Sequence, residues 1–93
     1  MERKDAYRIN KDKIACRVIE GEAVLLNVDK GTYYCLNKTG TLIWECLAEG
    51  KNVAQVLQML CTRFKSIAQK TLEKDLHELL RDLGKEEIVC RKQ

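Results

Sequence analysis

No apolar run in this chain approaches the ~20 residues that a membrane-spanning helix needs, so no membrane partner is expected. Residues 1–13, MERKDAYRINKDK, carry basic side chains but no apolar segment, which argues against a signal peptide. A cytoplasmic location is the resulting expectation. Paired cysteine motifs are also missing. Cys16, Cys35, Cys46, Cys61 and Cys90 are odd in number, and no two form a C-x-x-C pair. That disfavours a disulfide framework or a zinc knot. Cys46 and Cys61 fall in apolar helical stripes and read as small buried hydrophobes. Cys35 reads as part of an edge strand, with no histidine near it to activate the thiol.

The motifs of common enzyme sites are absent too. The sequence contains no G-x-G-x-x-G, no P-loop and no carboxylate cluster with ligand spacing. Its one histidine, His77, lies on the polar side of a predicted helix and reads as a solvated residue. No catalytic constellation, metal or cofactor is expected. There is no proline, internal repeat or low-complexity run. Aromatics are scarce, with three tyrosines, one tryptophan and one phenylalanine, so aliphatic side chains must fill the interior.

What is present suffices for one small domain. The chain has 93 residues, of which 45% are hydrophobic. A chain of this size buries roughly 60–65% of its unfolded surface, enough for one core without staples. The formal net charge is +3, much of it near the ends in Arg3, Lys4, Arg8, Lys11, Lys13, Arg91 and Lys92. Residues 1–12 read as a flexible arm, and residues 13–91 as a single domain.

Three strands come first. Residues 14–19 (IACRVI) read as the first, and Glu20-Gly21-Glu22 as a short turn in which Gly21 takes a positive φ. Residues 23–28 (AVLLNV) read as the second, with Val24, Leu26 and Val28 on the core face and Leu25 on the other. Asp29-Lys30-Gly31 reads as a type I turn with a bulge. Thr32, Tyr33, Tyr34, Cys35 and Leu36 form the third strand, at the edge of an antiparallel meander. One of the two tyrosines is expected to bury its ring while the other faces a groove or solvent.

Three helices follow. Asn37 suits an N-cap for a helix over residues 38–48, which stops at Gly50. Gly40 in its first turn lowers helix propensity and permits close approach to the sheet. Trp44 is expected to wedge between helix and sheet. Asn52 with Gln55 forms a capping-box pattern for the second helix. Val53, Val56, Leu57, Leu60, Cys61 and Phe64 then recur at helical spacing, the strongest helical signal in the chain. The third helix covers residues 69–83, with Gly84 as its expected C′ residue. Leu72, Leu76, Leu79, Leu80 and Leu83 form its stripe, and residues 87–91 suit a short last strand. The order predicts a winged-helix-like α+β fold, a three-stranded antiparallel β-meander followed by three helices.

This order and these residues resemble the PqqD-like family, whose namesake is coenzyme PQQ synthesis protein D of PQQ biosynthesis. The wider group is called the RiPP recognition element. The resemblance runs through EAVLLNVDKGTYYCLNKTGTLIWECLAEGKNVAQVL at residues 22–57 and resumes in DLHELLRDLG at residues 75–84. Its most specific part is Leu-Asn-x-Thr-Gly-x-x-Ile-Trp at residues 36–44. The family pattern often has an apolar pair directly after the glycine of the third helix, here Gly84. Here Lys85, Glu86 and Glu87 precede Ile88 and Val89.

The resemblance implies a non-catalytic adaptor. It would bind the leader of a ribosomally made precursor peptide and present it to a modifying enzyme such as a radical SAM maturase. The leader would add as a strand beside Thr32, Tyr33, Tyr34, Cys35 and Leu36 and pack against the third helix. An open strand edge has the unpaired N–H and C=O groups that this mode needs. Leu72, Leu76 and Leu79 would line the groove, with Asp75 and Lys70 at its rim, although Leu79, Leu80 and Leu83 read more simply as core. A nucleic-acid-binding winged helix is the alternative. Against it, Lys70, Lys74, Arg81 and Lys85 are balanced by Glu73, Asp75, Glu78 and Asp82, leaving no net cation for phosphates. The open edge and Leu25 are compatible with a monomer or a homodimer.

Overall fold

The computed structural model describes residues 5–92. In chain order the elements are β1 (Tyr7–Ile9), β2 (Ile14–Ile19), β3 (Glu22–Asn27), β4 (Thr32–Cys35), α1 (Lys38–Ala48), α2 (Val53–Arg63), α3 (Gln69–Lys85) and β5 (Val89–Arg91). β2, β3 and β4 form the expected antiparallel meander, in that order, and β1 pairs antiparallel with β5 in a second small sheet. The three-stranded meander and the three helices make the α+β class read from the sequence. No helix among the described residues is long and apolar enough to cross a membrane.

Local chemistry explains each turn of the meander. Glu20 and Gly21 both take positive φ, 53° and 80°, in the two-residue loop between paired Ile19 and Glu22. That is the geometry of a type I′ hairpin, whose twist matches the strands. The next turn is built on Asn27, whose Oδ1 accepts from the N–H groups of Asp29 and Lys30, both at 3.1 Å. Gly31 closes it at a φ of 69°.

The buried face of β3 is the opposite of the one expected. Ala23 and Leu25 are fully buried and Asn27 is 3% exposed, while Val28 is 53% exposed. Val24 and Leu26 are half-buried on the outer face. Leu25 therefore offers nothing to a dimer. Two polar contacts set this register. The N–H of Ala23 donates to Thr41 Oγ1 at 2.8 Å, and buried Asn27 donates from Nδ2 to the Glu86 carbonyl at 3.4 Å. Small Ala23 and satisfied Asn27 can face the helices, whereas the bulkier Val24 and Leu26 cannot both do so without reversing these bonds.

The helix caps follow the sequence closely. Asn37 Oδ1 accepts from the Gly40 N–H at 2.8 Å. A Cβ on Gly40 would sit 3.3 Å from both Asn37 Oδ1 and Leu36 Cδ2, so this glycine does permit a close approach. Asn52 and Gln55 exchange both bonds of a capping box. Trp44 is buried, as are Val53, Val56, Leu57 and Leu60 of α2 and Leu72, Leu76, Leu80 and Leu83 of α3.

The end of α3 differs from expectation. Gly84 is helical, and the residue that reverses the chain is Glu87, at a φ of 60°. The Ile88 N–H reaches the Leu83 carbonyl at 2.9 Å, and the Glu87 N–H reaches that of Gly84 at 3.1 Å. This is a Schellman motif with a non-glycine C′. Burial of Leu83 and Ile88 supports it, and the Asn10 amide donates to the Glu87 carbonyl.

The chain before residue 13 carries structure that the reading of a flexible arm leaves out. Residues 1–4 lie outside the described residues. From Asp5 onward the chain is tied to the domain. The Val53 N–H, an orphan donor at the start of α2, bonds the Asp5 carbonyl at 2.8 Å. Tyr7, Arg8 and Ile9 pair with Arg91, Cys90 and Val89. Ile9 is 9% exposed and Tyr7 packs against the core beside it, so these two side chains anchor the segment.

Candidate functional site

β4 has one open edge. Its Leu36-side rung is set by the Leu36 N–H donating to the Ala23 carbonyl at 2.8 Å. With Val24 opposite Cys35 and Leu26 opposite Tyr33, the backbone groups of Tyr34 and Thr32 turn toward β3. Those of Tyr33 and Cys35 turn to the open edge. An incoming extended chain meets N–H and C=O groups there in ladder orientation.

Beside that edge runs an open groove of about 400 Å³ between β4, the start of α1 and α3. Its apolar lining comes from Leu36, Ile43, Phe64, Leu72 and Leu79, with Ile67 from the α2–α3 connection. Asn37, Thr39 and Gly40 form one end, where the α1 cap sits. Along α3 the lining is acidic, from Asp75, Glu78 and Asp82. Tyr34 stands on the strand side, and its phenol pKa is raised, first by burial and then by the carboxylates of Asp82 and Glu86. Negative potential from α3 thus reaches across to β4.

Of the residues singled out in the sequence, Tyr34, Cys35, Leu36, Leu72, Asp75 and Leu79 come together around this groove. Thr32 is exposed at the far end of β4. Tyr33 is 69% exposed on the outer sheet face, across from Leu26. It is Tyr34 whose ring turns inward. Leu76 is fully buried in the core beneath the groove. Lys70 is exposed and does not line it.

Besides Asn37, Thr39 and Gly40 at the α1 cap, the lining residues that sequence reasoning missed are Ile43, Phe64, Ile67, Glu78 and Asp82. For the two acids a signal existed, because Asp75, Glu78 and Asp82 recur at i, i+3 and i+7 on one helix face. Lys70, Lys74, His77 and Arg81 are exposed along another stripe. A neutral total conceals this sorting. Cys16 and Cys35 are exposed, Cys46 is buried, and all five cysteines are free. Burial raises the pKa of the Cys46 thiol, which keeps it protonated. Among the described residues no group of three or more His, Cys, Asp or Glu side chains is disposed to hold a metal ion.

Comparison with known proteins bears on this arrangement. No curated protein matches the chain significantly. Two solved structures share its fold. One is described as TbiB1 in complex with the TbiA(beta) leader peptide, at 34% identity and a TM-score of 0.81, covering 88% of this chain and 93% of that one. The other is lasso peptide synthetase B1 complexed with the leader peptide, at 26% identity and a TM-score of 0.81, covering 90% of this chain and 96% of that one. Residues 22–89 match the family described as coenzyme PQQ synthesis protein D, a span that includes β3, β4, all three helices and every residue of the groove. The chain belongs to the PqqD family.

Proposed function

We propose that this protein is a leader-peptide adaptor. The leader of a ribosomally made precursor adds to the open edge of β4 as a fourth strand, and its side chains enter the groove along α3. The protein then holds the precursor for a modifying enzyme, a radical SAM maturase or another peptide-modifying catalyst. The adaptor contributes binding and orientation while the enzyme contributes the chemistry. A reducing compartment such as the cytoplasm suits its five unbridged cysteines.

The observation that carries this reading is the free backbone edge of Tyr33 and Cys35 lying directly beside an apolar groove. Main-chain bonds give such a mode its affinity, and pockets for alternate side chains give its specificity. Both similar structures hold leader peptides by their descriptions, which supports the same mode here.

Cys35→Pro tests it. Proline removes an outward N–H but no bond to β3, and edge strands tolerate that substitution. Calorimetric titration with the leader of the precursor encoded beside this gene should show binding to the wild type and at least tenfold weaker binding to the folded variant. Equal affinities would contradict strand addition.

A further inference from the structure

All charged side chains lining the groove are acidic: Asp75, Glu78 and Asp82. None of the three forms a salt bridge with another described residue. Lys74 and Arg81 are helical neighbours of Glu78, and Lys85 of Asp82, but no cation of α3 lines the groove or closes a salt bridge to these acids. The side of α3 that a docked strand meets is therefore more negative than the helix as a whole. The chain is net positive at +3, so this field is local and not a general property of the surface.

We propose that the groove selects leaders with Lys or Arg at alternate positions of the docked strand, on the side facing α3, with an apolar anchor two residues before or after that pair on the same side. This deepens the strand-addition reading and rests on it. The spacing fits. Glu78 and Asp82 are four residues apart on a helix that rises 1.5 Å per residue, so they sit about 6 Å apart along its axis. Same-face side chains of a strand sit roughly 6.6 Å apart. Two cations at i and i+2 can therefore each meet one carboxylate. The apolar anchor enters between Leu36, Phe64, Leu72 and Leu79. The raised pKa of Tyr34 agrees, since its phenolate would meet the same negative field.

The charges act on selection. Complementary groups steer encounter and set register, while an acidic leader would bring like charges together in a partly desolvated groove. Such pairs are partly exposed and weaken with salt.

The test uses the intact protein and the leader encoded by the neighbouring precursor gene. Affinity is measured at low and high salt for the wild type, for E78Q/D82N and for K74Q/R81Q. Circular dichroism melts confirm that the variants fold. The proposal expects E78Q/D82N to bind roughly tenfold more weakly at low salt and to lose most of its salt dependence. It expects K74Q/R81Q to match the wild type. Unchanged or tighter binding by E78Q/D82N would overturn the charge selection and leave strand addition standing. No binding of the leader by the wild type would overturn both.

Discussion

The N–H of Ala23 ends its ladder on the hydroxyl of Thr41, 2.8 Å away, and not on the next carbonyl of β4. The same hydroxyl donates to the Asn37 carbonyl at 2.9 Å. One side chain thus joins β3 to the α1 cap at the point where β4 gives way to helix. It holds the strand edge and one end of the groove in fixed relation.

Removing that hydroxyl should show its weight. Thr41 is 2% exposed, so Thr41→Val leaves the Ala23 N–H buried without a partner. The expected loss of stability is about 1–3 kcal/mol by denaturant unfolding. Thr41→Ser keeps the bond and should lose less.

Leu76 and Leu79 should separate folding from binding. Leu76 is fully buried, so Leu76→Ala should cost about 2–5 kcal/mol of stability. Leu79 is half-buried in the groove lining. Leu79→Arg should leave a cooperative thermal transition but weaken leader binding at least tenfold, because the new side chain fills the groove and pairs with its acids. Lys92→Ala, at an exposed end, should change neither property.

Much of this architecture is legible in the sequence. Asn37, Asn52 and Gln55 cap helices by local chemistry that needs no tertiary knowledge, and the leucine spacing of α3 fixes its buried side. The face of β3 is not legible, because Val24, Leu26 and Val28 form the more apolar set. The deciding contacts come from Thr41 and Glu86, distant in sequence. The role of β1 is hidden for a similar reason: its partner β5 lies at the other end of the chain, and the alternation of Tyr7, Arg8 and Ile9 is too short to mark a strand. Within the groove, Leu72, Asp75 and Leu79 are readable from periodicity. Phe64 is readable as an apolar residue of the α2 stripe but not as groove lining, and Ile67 belongs to no stripe because it lies in the α2–α3 connection.

Glu87 invites a stabilising substitution. Its φ of 60° costs a non-glycine residue about 1–2 kcal/mol, which Glu87→Gly should largely recover in a melting experiment. The opposing term is an exposed ion pair, Lys30 Nζ to Glu87 Oε2 at 2.9 Å. Hydrogen bonding from Lys30 lowers the Glu87 pKa. That pair therefore stabilises the fold above the carboxylate's unfolded pKa and is lost as pH falls through its lower folded value. The advantage of the glycine variant should widen across that acidic window.

Truncation to residue 10 should destabilise the domain. It removes the burial of Ile9, worth about 2 kcal/mol, and the acceptor that Asp5 gives to α2. Amide exchange on the full chain should find the β1–β5 ladder protected. Rapid exchange at both Arg8 and Cys90, whose N–H groups face across the ladder, would contradict its pairing.

Leader titration of isotope-labelled protein, followed by backbone amide shifts, asks whether the leader docks on β4. The account predicts large shifts at Tyr33 and Cys35, whose N–H groups acquire partners, with further shifts along Asp75, Glu78 and Asp82. The outer strand β2 should stay unperturbed. Shifts confined to β2 or to the exposed Lys70, Lys74 and Arg81 stripe, with β4 silent, would contradict it.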